Sequence, residues 1–213
     1  MERIVLFTDS LAMPREEPEV TLYEDTYPYL LRKDYEVFQF SKGGGLMNEF
    51  IEQTFYYNQY KPDIIILQLG IVDCGPRAFT KLEEAIFHSN RLLSFIRFFL
   101  SKTKMSKKIR NFRRVSWTNE KQYEQGCRFF IDKFKNSKVY ALSIVPTTEK
   151  YEKQVPGITK KVGRYNDILK RVFQENLIDI SGIPAEGIMS DHHHLTKVGH
   201  RYVYEQIVHK LNG

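Results

Sequence analysis

The sequence predicts an α/β fold, a three-layer α/β/α sandwich around a central, mostly parallel, five-stranded sheet. Short β-branched or apolar runs bounded by turn residues recur along the chain. The segments between them are long enough for the helices that parallel strands need as crossovers. The third run, residues 64–69, is apolar apart from Gln68 and is followed by glycine. That pattern is typical of a strand buried on both faces of a parallel sheet.

The individual elements follow from these patterns in chain order. The runs predict strands at residues 4–8, 37–40, 64–69, 139–144 and, more weakly, 177–180. Apolar residues three or four positions apart predict helices over residues 49–60, 81–100, 120–135, 161–175 and 196–211.

Length and composition predict a single domain spanning residues 1–213. The 213 residues can bury one sizeable core, and 42% hydrophobic with 27% charged residues is ordinary for a globular protein. The connection between the third and fourth strands, around residues 78–137, is unusually long, helical and basic. We expect this insertion to cap a site or form an interface.

Cysteine use and the amino-terminal sequence predict a cytoplasmic protein. The first apolar run is too short for a secretory signal, and no stretch approaches the roughly 18 apolar residues of a membrane span. Cys74 and Cys127 each lack a close thiol partner in the sequence, which favours a reducing compartment.

The net charge of +6 is concentrated in one segment. Residues 102–114 carry seven basic and no acidic side chains. A solvated surface is one interpretation, and a patch that meets a membrane surface, an anionic glycan or a partner is the other. No nucleic-acid fold signature accompanies the run, so no nucleic-acid partner is predicted. The oligomeric state is left open.

Four of the six histidines lie in the segment DHHHLTKVGH, residues 191–200. From regular backbone, His192, His193 and His194 cannot all reach one ion, and no second cluster completes a tetrahedral set. We therefore predict no metal and no other cofactor. A carboxylate three residues before a histidine, as with Asp191 and His194, can instead accept the Nδ1 proton and leave Nε2 facing a nucleophile.

Polar segments follow four of the predicted strands. In an open parallel sheet the functional site lies at the carboxyl ends of the strands. The segments TDS, SKGGG, GIVDCGPR and VPTTE come directly after the first four strands. They are therefore expected to meet at one edge of the sheet.

Four blocks of the chain, in order, resemble those of the SGNH or GDSL-type hydrolase family: FTDSLA, SKGGGLMN, LQLGIVDCGPR and SDHHHLTKVGH. The first block has Thr8 where glycine is usual. The resemblance covers the full length and implies a flavodoxin-like sheet and a serine hydrolase. It also implies that Ser10 is the nucleophile, His194 the general base and Asp191 its orienting partner.

The resemblance also implies an oxyanion hole built by the backbone amides of Ser10 and a glycine, and by an asparagine side chain. Gly45 is the first candidate for the glycine and Gly44 the alternative. The asparagine of the third block is replaced here by Val72, which has no donor. Loss of one such donor lowers kcat by on the order of 10² to 10³.

Nearby polar residues could compensate for Val72. Arg77, Arg15 and Asn48 follow strand-end blocks and are candidate donors. Arg77 or Arg15 would bind an anionic or hydroxyl-rich part of a substrate, or else lie on the surface. Asp73, in the third block, is a third candidate for substrate binding.

The remaining noticeable residues are given structural roles. Cys74 is interpreted as a small buried apolar residue. Asp9 is expected to cap the turn that carries Ser10. His192, His193 and His200 are assigned to turn or helix-surface positions.

The predicted function is that of a serine esterase or deacylase acting on an O-acyl ester, such as an acetylated carbohydrate, or an acyltransferase using the same acyl-enzyme. The segments TDSLAMPR, TYPYLL and GIVDCGPR resemble bacterial family members associated with polysaccharide biosynthesis. A small-molecule or carbohydrate ester would be the partner. The alternative, favoured by Val72, is a member of the fold that binds a glycan or a protein without turnover.

Overall fold

The computed structural model describes residues 1–89, 95, 98, 104–113 and 115–213. Five strands form one sheet in the order β2-β1-β3-β4-β5, and every neighbouring pair is parallel. The strands are β1 (Arg3–Thr8), β2 (Glu36–Ser41), β3 (Ile64–Gln68), β4 (Lys138–Leu142) and β5 (Leu177–Ile178). The predicted fold class, a flavodoxin-like α/β sandwich, is confirmed.

The helices of the described part of the chain are α1 (Tyr27–Leu31), α2 (Met47–Ile51), α3 (Thr54–Tyr57), α4 (Ile71–Cys74), α5 (Lys81–Ser89), α6 (Lys104–Arg113), α7 (Glu120–Lys133), α8 (Glu149–Gln154), α9 (Ile158–Phe173) and α10 (Lys197–Asn212). The single helix predicted over 49–60 is wrong, because the Thr54 hydroxyl donates to the Ile51 carbonyl where α2 ends and α3 begins. The helix predicted over 81–100 is described as far as Ser89 and at residues 95 and 98. Its remaining residues lie outside the described part.

Burial explains which runs became central strands. All five residues of β3 are buried, as are five of the six in β1. β2, at the edge, is only half-buried. Helix α7 contacts both α2 and α9, whereas α10 packs on α1 and also reaches β5. Helices therefore cover the sheet on both faces, as the continuous apolar runs require.

The insertion between β3 and β4 is partly helical. Of the basic run 102–114, residues 104–113 form α6, whereas residues 102, 103 and 114 lie outside the described part. The Arg113 guanidinium is 2.9 Å from the Glu83 carboxylate on α5, so this end of the run is held by an ion pair. Within the described ranges, no helix has the length and apolar character needed to cross a membrane.

Gly199, near the amino end of α10, packs directly on Gly187. A Cβ on Gly199 would lie 2.0 Å from the Gly187 carbonyl oxygen. We expect Gly199→Ala to lower the free energy of unfolding by roughly 1–3 kcal/mol or more, because the backbone must shift. Gly163→Ala is the control, since an added Cβ there meets nothing within 4 Å and should be neutral or stabilising by up to about 1 kcal/mol. Equal thermal shifts for both variants would contradict this close packing.

Candidate active site

Ser10 begins a short turn at the carboxyl end of β1. The turn is a 3₁₀ helix, Ser10–Ala12, and Asp9 is its N-cap, as predicted. The Asp9 Oδ1 atom accepts a hydrogen bond of 2.9 Å from the Leu11 amide. A capped turn directly after a buried strand fixes the position of the Ser10 side chain relative to the sheet.

An irregular turn before α10 carries Asp191 and His194. His192 has a left-handed backbone, with φ of 71°, and its amide donates to the Met189 carbonyl at 2.9 Å. The Asp191 Oδ1 atom accepts hydrogen bonds from the amides of His193 (3.2 Å) and His194 (3.0 Å). The carboxylate therefore organises the backbone of the turn as well as one of its side chains.

Ser10, His194 and Asp191 form a continuous hydrogen-bonded chain. The Ser10 Oγ atom is 2.9 Å from His194 Nε2, and His194 Nδ1 is 2.6 Å from Asp191 Oδ2. Ser10 and His194 are 184 positions apart in the sequence, and the fold brings them together at the edge where the sheet topology predicts the site. The geometry is that of a nucleophile, a base and an orienting carboxylate.

The protonation states suit this geometry. Burial alone would raise the pKa of Asp191, but hydrogen bonds from the His194 amide and ring and the His193 amide outweigh it and hold this pKa at about 2. The ionised carboxylate can only accept, so Nδ1 carries the imidazole proton and Nε2 accepts from the Ser10 hydroxyl. Burial, opposed by the Asp191 hydrogen bond, lowers the pKa of His194 to about 4. At neutral pH the imidazole is therefore uncharged, as a general base must be.

The loop after Ser10 is attached to the turn that carries His194. Arg15 and Thr21 pair through two backbone hydrogen bonds of 3.0 and 2.9 Å, which closes the loop on itself. The Glu19 carboxylate accepts from the Ser190 amide at 3.0 and 3.2 Å. The Thr21 hydroxyl donates to the Leu195 carbonyl at 3.4 Å. These contacts hold the two halves of the site together across 171 and 174 residues of chain.

The two candidate oxyanion glycines differ in how their amides are used. The Gly45 amide donates to the Lys42 carbonyl at 3.1 Å. A Cβ on Gly45 would lie 2.6 Å from the Phe50 ring, so close packing explains this glycine. In the described part of the chain we find no acceptor for the Gly44 amide, and Gly44 has φ of 68°. Of the two candidates, Gly44 is therefore the one whose amide has no acceptor in the described part of the chain.

Asp73 does not face the site, so its predicted role in substrate binding is wrong. The side chain is fully buried, and Oδ1 accepts from the Met47 amide at 3.0 Å and from the Thr118 hydroxyl. Burial raises the pKa of Asp73 to about 6, against the opposing effect of these hydrogen bonds. Its role is to join α2 to the segment before α7. Val72, in the same block, is also buried and offers no donor.

The candidates for compensating donors occupy different places. Arg15 is half-buried, and its guanidinium donates to the Glu17 carbonyl at 3.1 Å. The Arg15 charge also contributes, with a smaller effect than burial, to the lowered pKa of His194. The Arg77 guanidinium lies 4.6 Å from the centre of the Trp117 ring. Asn48 is exposed, in a groove that Trp117 also lines.

His200 is not a surface residue, so its predicted position is wrong. It is 1% exposed, and its Nδ1 atom accepts from the Tyr27 amide at 3.3 Å. The Tyr27 hydroxyl in turn donates to Gln68 Oε1 at 2.7 Å. Burial lowers the pKa of His200 to about 4, so it is a neutral acceptor that joins α10 to α1. Cys74 is fully buried, as predicted.

Asp191, His193 and His194 are the one group of three potential metal ligands in the described ranges. The left-handed His192 turns the backbone so that His193 reaches this group, which regular backbone would not allow. However, the His194 Nδ1 and Asp191 Oδ2 atoms are already joined by the 2.6 Å hydrogen bond. An ion bound there would replace the contact that orients the base, so the group fits a hydrogen-bonded triad better than a metal site.

Tyr151, on α8, lies at this site although no sequence pattern singles it out. Its ring stacks on the His193 ring at 5.6 Å with an interplanar angle of 16°. The His193 ring is in turn 4.0 Å from that of His194. A tyrosine on a short polar helix has no distinctive spacing, so its only sequence signal is that α8 follows the fourth strand.

Comparison with known proteins supports the fold and leaves the activity to be inferred. No family model matches the chain, and no curated protein matches it. Solved structures do match over nearly the whole chain. A lipase/acylhydrolase from Enterococcus faecalis aligns with a TM-score of 0.68 at 14% identity, covering 100% of this chain and 96% of that one.

Two further solved structures match the chain to a similar extent. The psychrotrophic esterase EstA from Pseudoalteromonas sp. aligns with a TM-score of 0.63 at 12% identity, covering 100% of this chain and 97% of that one. A member of the lipolytic protein G-D-S-L family from Veillonella parvula aligns with a TM-score of 0.62 at 12% identity, covering 98% and 97%. The chain therefore has the fold of the SGNH/GDSL-type hydrolases, as its sequence blocks suggested.

Proposed function

We propose that this protein is a serine ester hydrolase in which Ser10 carries the acyl group. The observation that supports this most directly is the hydrogen-bonded chain from Ser10 through His194 to Asp191. A serine hydroxyl is a weak nucleophile until an adjacent base takes its proton. The neutral His194 imidazole, 2.9 Å from Ser10 Oγ, is placed to do so.

The reaction would proceed in two steps. Ser10 Oγ attacks the ester carbonyl while His194 Nε2 accepts the hydroxyl proton, and Asp191 stabilises the imidazolium that forms. The tetrahedral oxyanion would be held by the amides of Ser10 and Gly44. His194 then gives its proton to the departing alcohol. Water, activated by the same imidazole, releases the acid and restores Ser10.

The finer proposal is that the substrate is an O-acyl ester of a carbohydrate, and an acetyl ester in particular. It is supported by the sequence blocks that resemble those of polysaccharide-associated family members. If a sugar hydroxyl instead of water attacked the acyl-enzyme, the same residues would perform acyl transfer. The proteins of similar fold are described as a lipase/acylhydrolase and an esterase, which agrees with ester chemistry in general.

A second candidate is a binding module that has lost turnover. The observation in its favour is Val72, which removes a donor from the oxyanion hole. The intact hydrogen bonds of the triad favour the enzyme instead, because a module without turnover has no need for a neutral base aligned on a serine.

Labelling with a fluorophosphonate tests whether Ser10 is a working nucleophile. The esterase EstA was solved in a form inhibited by monoethylphosphonate, so a phosphonate is a suitable probe. We expect one adduct per chain, mapped to Ser10 by mass spectrometry. Ser10→Ala and His194→Ala should abolish it, and heat-denatured protein should not react. A folded wild-type protein that stays unlabelled would favour the binding module.

A further inference from the structure

Arg77, just before the insertion, and Arg110, within it, are connected to the part of the site where Tyr151 stacks on His193. The segments that carry them are joined by the bridge between Arg77 and Val115, in which the Arg77 amide donates to the Val115 carbonyl at 2.7 Å. The Arg110 guanidinium donates to the carbonyl of Gln154, three residues after Tyr151 on the same helix. This contact places Arg110 against α8, and the charge of Arg77 acts on Tyr151 of the same helix.

The charges of Arg77 and Arg110 influence each other and the Tyr151 hydroxyl. Burial lowers the pKa of Arg110; Tyr151 opposes this shift, and the charge of Arg77 adds to it. Burial raises the pKa of Tyr151, with Asp191 raising it and both arginines lowering it. Like charges that interact in this way repel, and a counter-charge between them would relieve the repulsion.

In the part of the chain that the structure describes, neither guanidinium has a counter-charge at ion-pair distance. Arg113, one turn beyond Arg110, is paired with Glu83 at 2.9 Å, whereas neither Arg77 nor Arg110 has a carboxylate within ion-pair distance. The undescribed residues 90–94, 96, 97, 99–103 and 114 include no aspartate or glutamate. A counter-charge in direct contact with either guanidinium would therefore come from a bound ligand.

Both arginines also keep a buried donor without an acceptor. The Nε atoms of Arg77 and Arg110 are inaccessible to solvent and have no hydrogen-bond partner. A buried donor of a charged group left unpaired is unfavourable, and such groups in native proteins call for an explanation. Stacking on Trp117 at 4.6 Å fixes the plane of the Arg77 guanidinium. A planar, fixed guanidinium is suited to binding an oxyanion through two parallel hydrogen bonds.

We propose that Arg77 and Arg110 bind an anionic group on the substrate, and that this group belongs to the alcohol part of the ester. The proposal rests on the proposed function, because it assigns the substrate class of the same site. His194 protonates the departing alcohol, so that alcohol leaves on the His194 side. Tyr151 and His193, which the arginines adjoin, are on that side. The substrate is then an O-acyl ester of an acidic alcohol, such as a sugar bearing a carboxylate or a phosphate.

Binding to the inactive Ser10→Ala protein tests this site without needing turnover. The probes are 4-acetoxybenzoate, 4-acetoxyphenyl phosphate and the neutral methyl 4-acetoxybenzoate, with affinity measured by calorimetry or ligand-observed NMR. We expect at least one charged probe to bind about tenfold or more tightly than the neutral one, and the preferred probe separates carboxylate from phosphate. Adding Arg77→Gln or Arg110→Gln should weaken binding of that probe about ten- to a hundredfold.

Arg128→Gln is the matched control, because Arg128 is an exposed arginine paired with Glu124 at 2.8 Å. It should leave the affinities unchanged. Charged probes that bind no better than the neutral one, or a loss as large in Arg128→Gln, would overturn the proposal. With Ser10 intact, the ratio of kcat/KM for the charged over the neutral ester should fall in the same two variants. Absence of any turnover would count against the ester hydrolase alone, since the binding result decides the anion site separately.

Discussion

Replacing Ser10 by alanine should lower kcat/KM for 4-nitrophenyl acetate by on the order of 10³- to 10⁴-fold. Loss of the nucleophile in a complete serine triad lowers turnover by on the order of 10⁶. If Val72 replaces an oxyanion donor, as the resemblance to the family implies, on the order of 10² to 10³ of that rate is already missing in the wild type. Ser10→Ala can abolish only the rate acceleration that the wild type still has. Initial rates at neutral pH, corrected for spontaneous hydrolysis, measure it.

Non-additivity makes this experiment specific for a triad. Ser10 and His194 would act as one unit, so His194→Ala should lose about as much as Ser10→Ala, and the double variant no more than either. Ser137→Ala is the control, because Ser137 donates to the Pro62 carbonyl at the other end of the strands. It should keep wild-type activity. Losses that multiply in the double variant, or activity that survives Ser10→Ala, would contradict the proposed mechanism.

The sheet could be predicted from the sequence because buried parallel strands need uninterrupted apolar runs. All five predicted strands lie within two residues of the observed bounds. The last strand ends early because the Ile180 amide donates to the Ser143 hydroxyl at 2.9 Å instead of to a neighbouring strand. A side chain that replaces a backbone partner leaves no mark in hydropathy, so that boundary was beyond sequence patterns.

The pairing of Asp191 with His194 could be predicted from their spacing, whereas Ser10 is selected because its block resembles the first block of the SGNH or GDSL-type hydrolases. The errors have a common physical cause, which is burial of polar groups by distant parts of the chain. Asp73 is buried and accepts a hydrogen bond from Thr118, 45 residues away. His200 is buried and accepts one from the Tyr27 amide. Arg110 contacts α8 because the insertion folds against that helix. Contacts of this kind depend on tertiary packing, which spacing does not reveal.

Asp9→Asn should make the protein markedly more stable relative to wild type as the pH rises. Asp9 is 1% exposed, and its Oδ2 atom has no hydrogen-bond partner in the described structure. Burial raises its pKa from 3.8 to about 7, although the Leu11 amide opposes this. The folded state therefore binds this proton more tightly than the unfolded chain does. Stability from this group is present below pH 3.8 and is lost as the pH rises through about 7.

The size of the effect follows from the same linkage. Each pKa unit corresponds to about 1.4 kcal/mol, so the ionised Asp9 carboxylate destabilises the fold by roughly 4 kcal/mol at high pH. More than half of this, roughly 2 to 3 kcal/mol, should develop between pH 5 and pH 8. Asparagine does not ionise, and its side-chain oxygen can still accept from the Leu11 amide. Any fixed penalty for its buried NH₂ group would be the same at both pH values.

The measurement compares the stability difference between Asp9→Asn and wild type at two pH values. Urea unfolding of wild type and Asp9→Asn at pH 5 and pH 8 gives the stability gap at each pH, and subtraction removes every contribution that does not titrate. Asp167→Asn, at an exposed position on α9, is the control and should show no change in its gap. A gap for Asp9→Asn that stays constant from pH 5 to pH 8 would mean that Asp9 is ionised throughout. Its carboxylate would then have a partner beside Ser10 that the present structure does not contain.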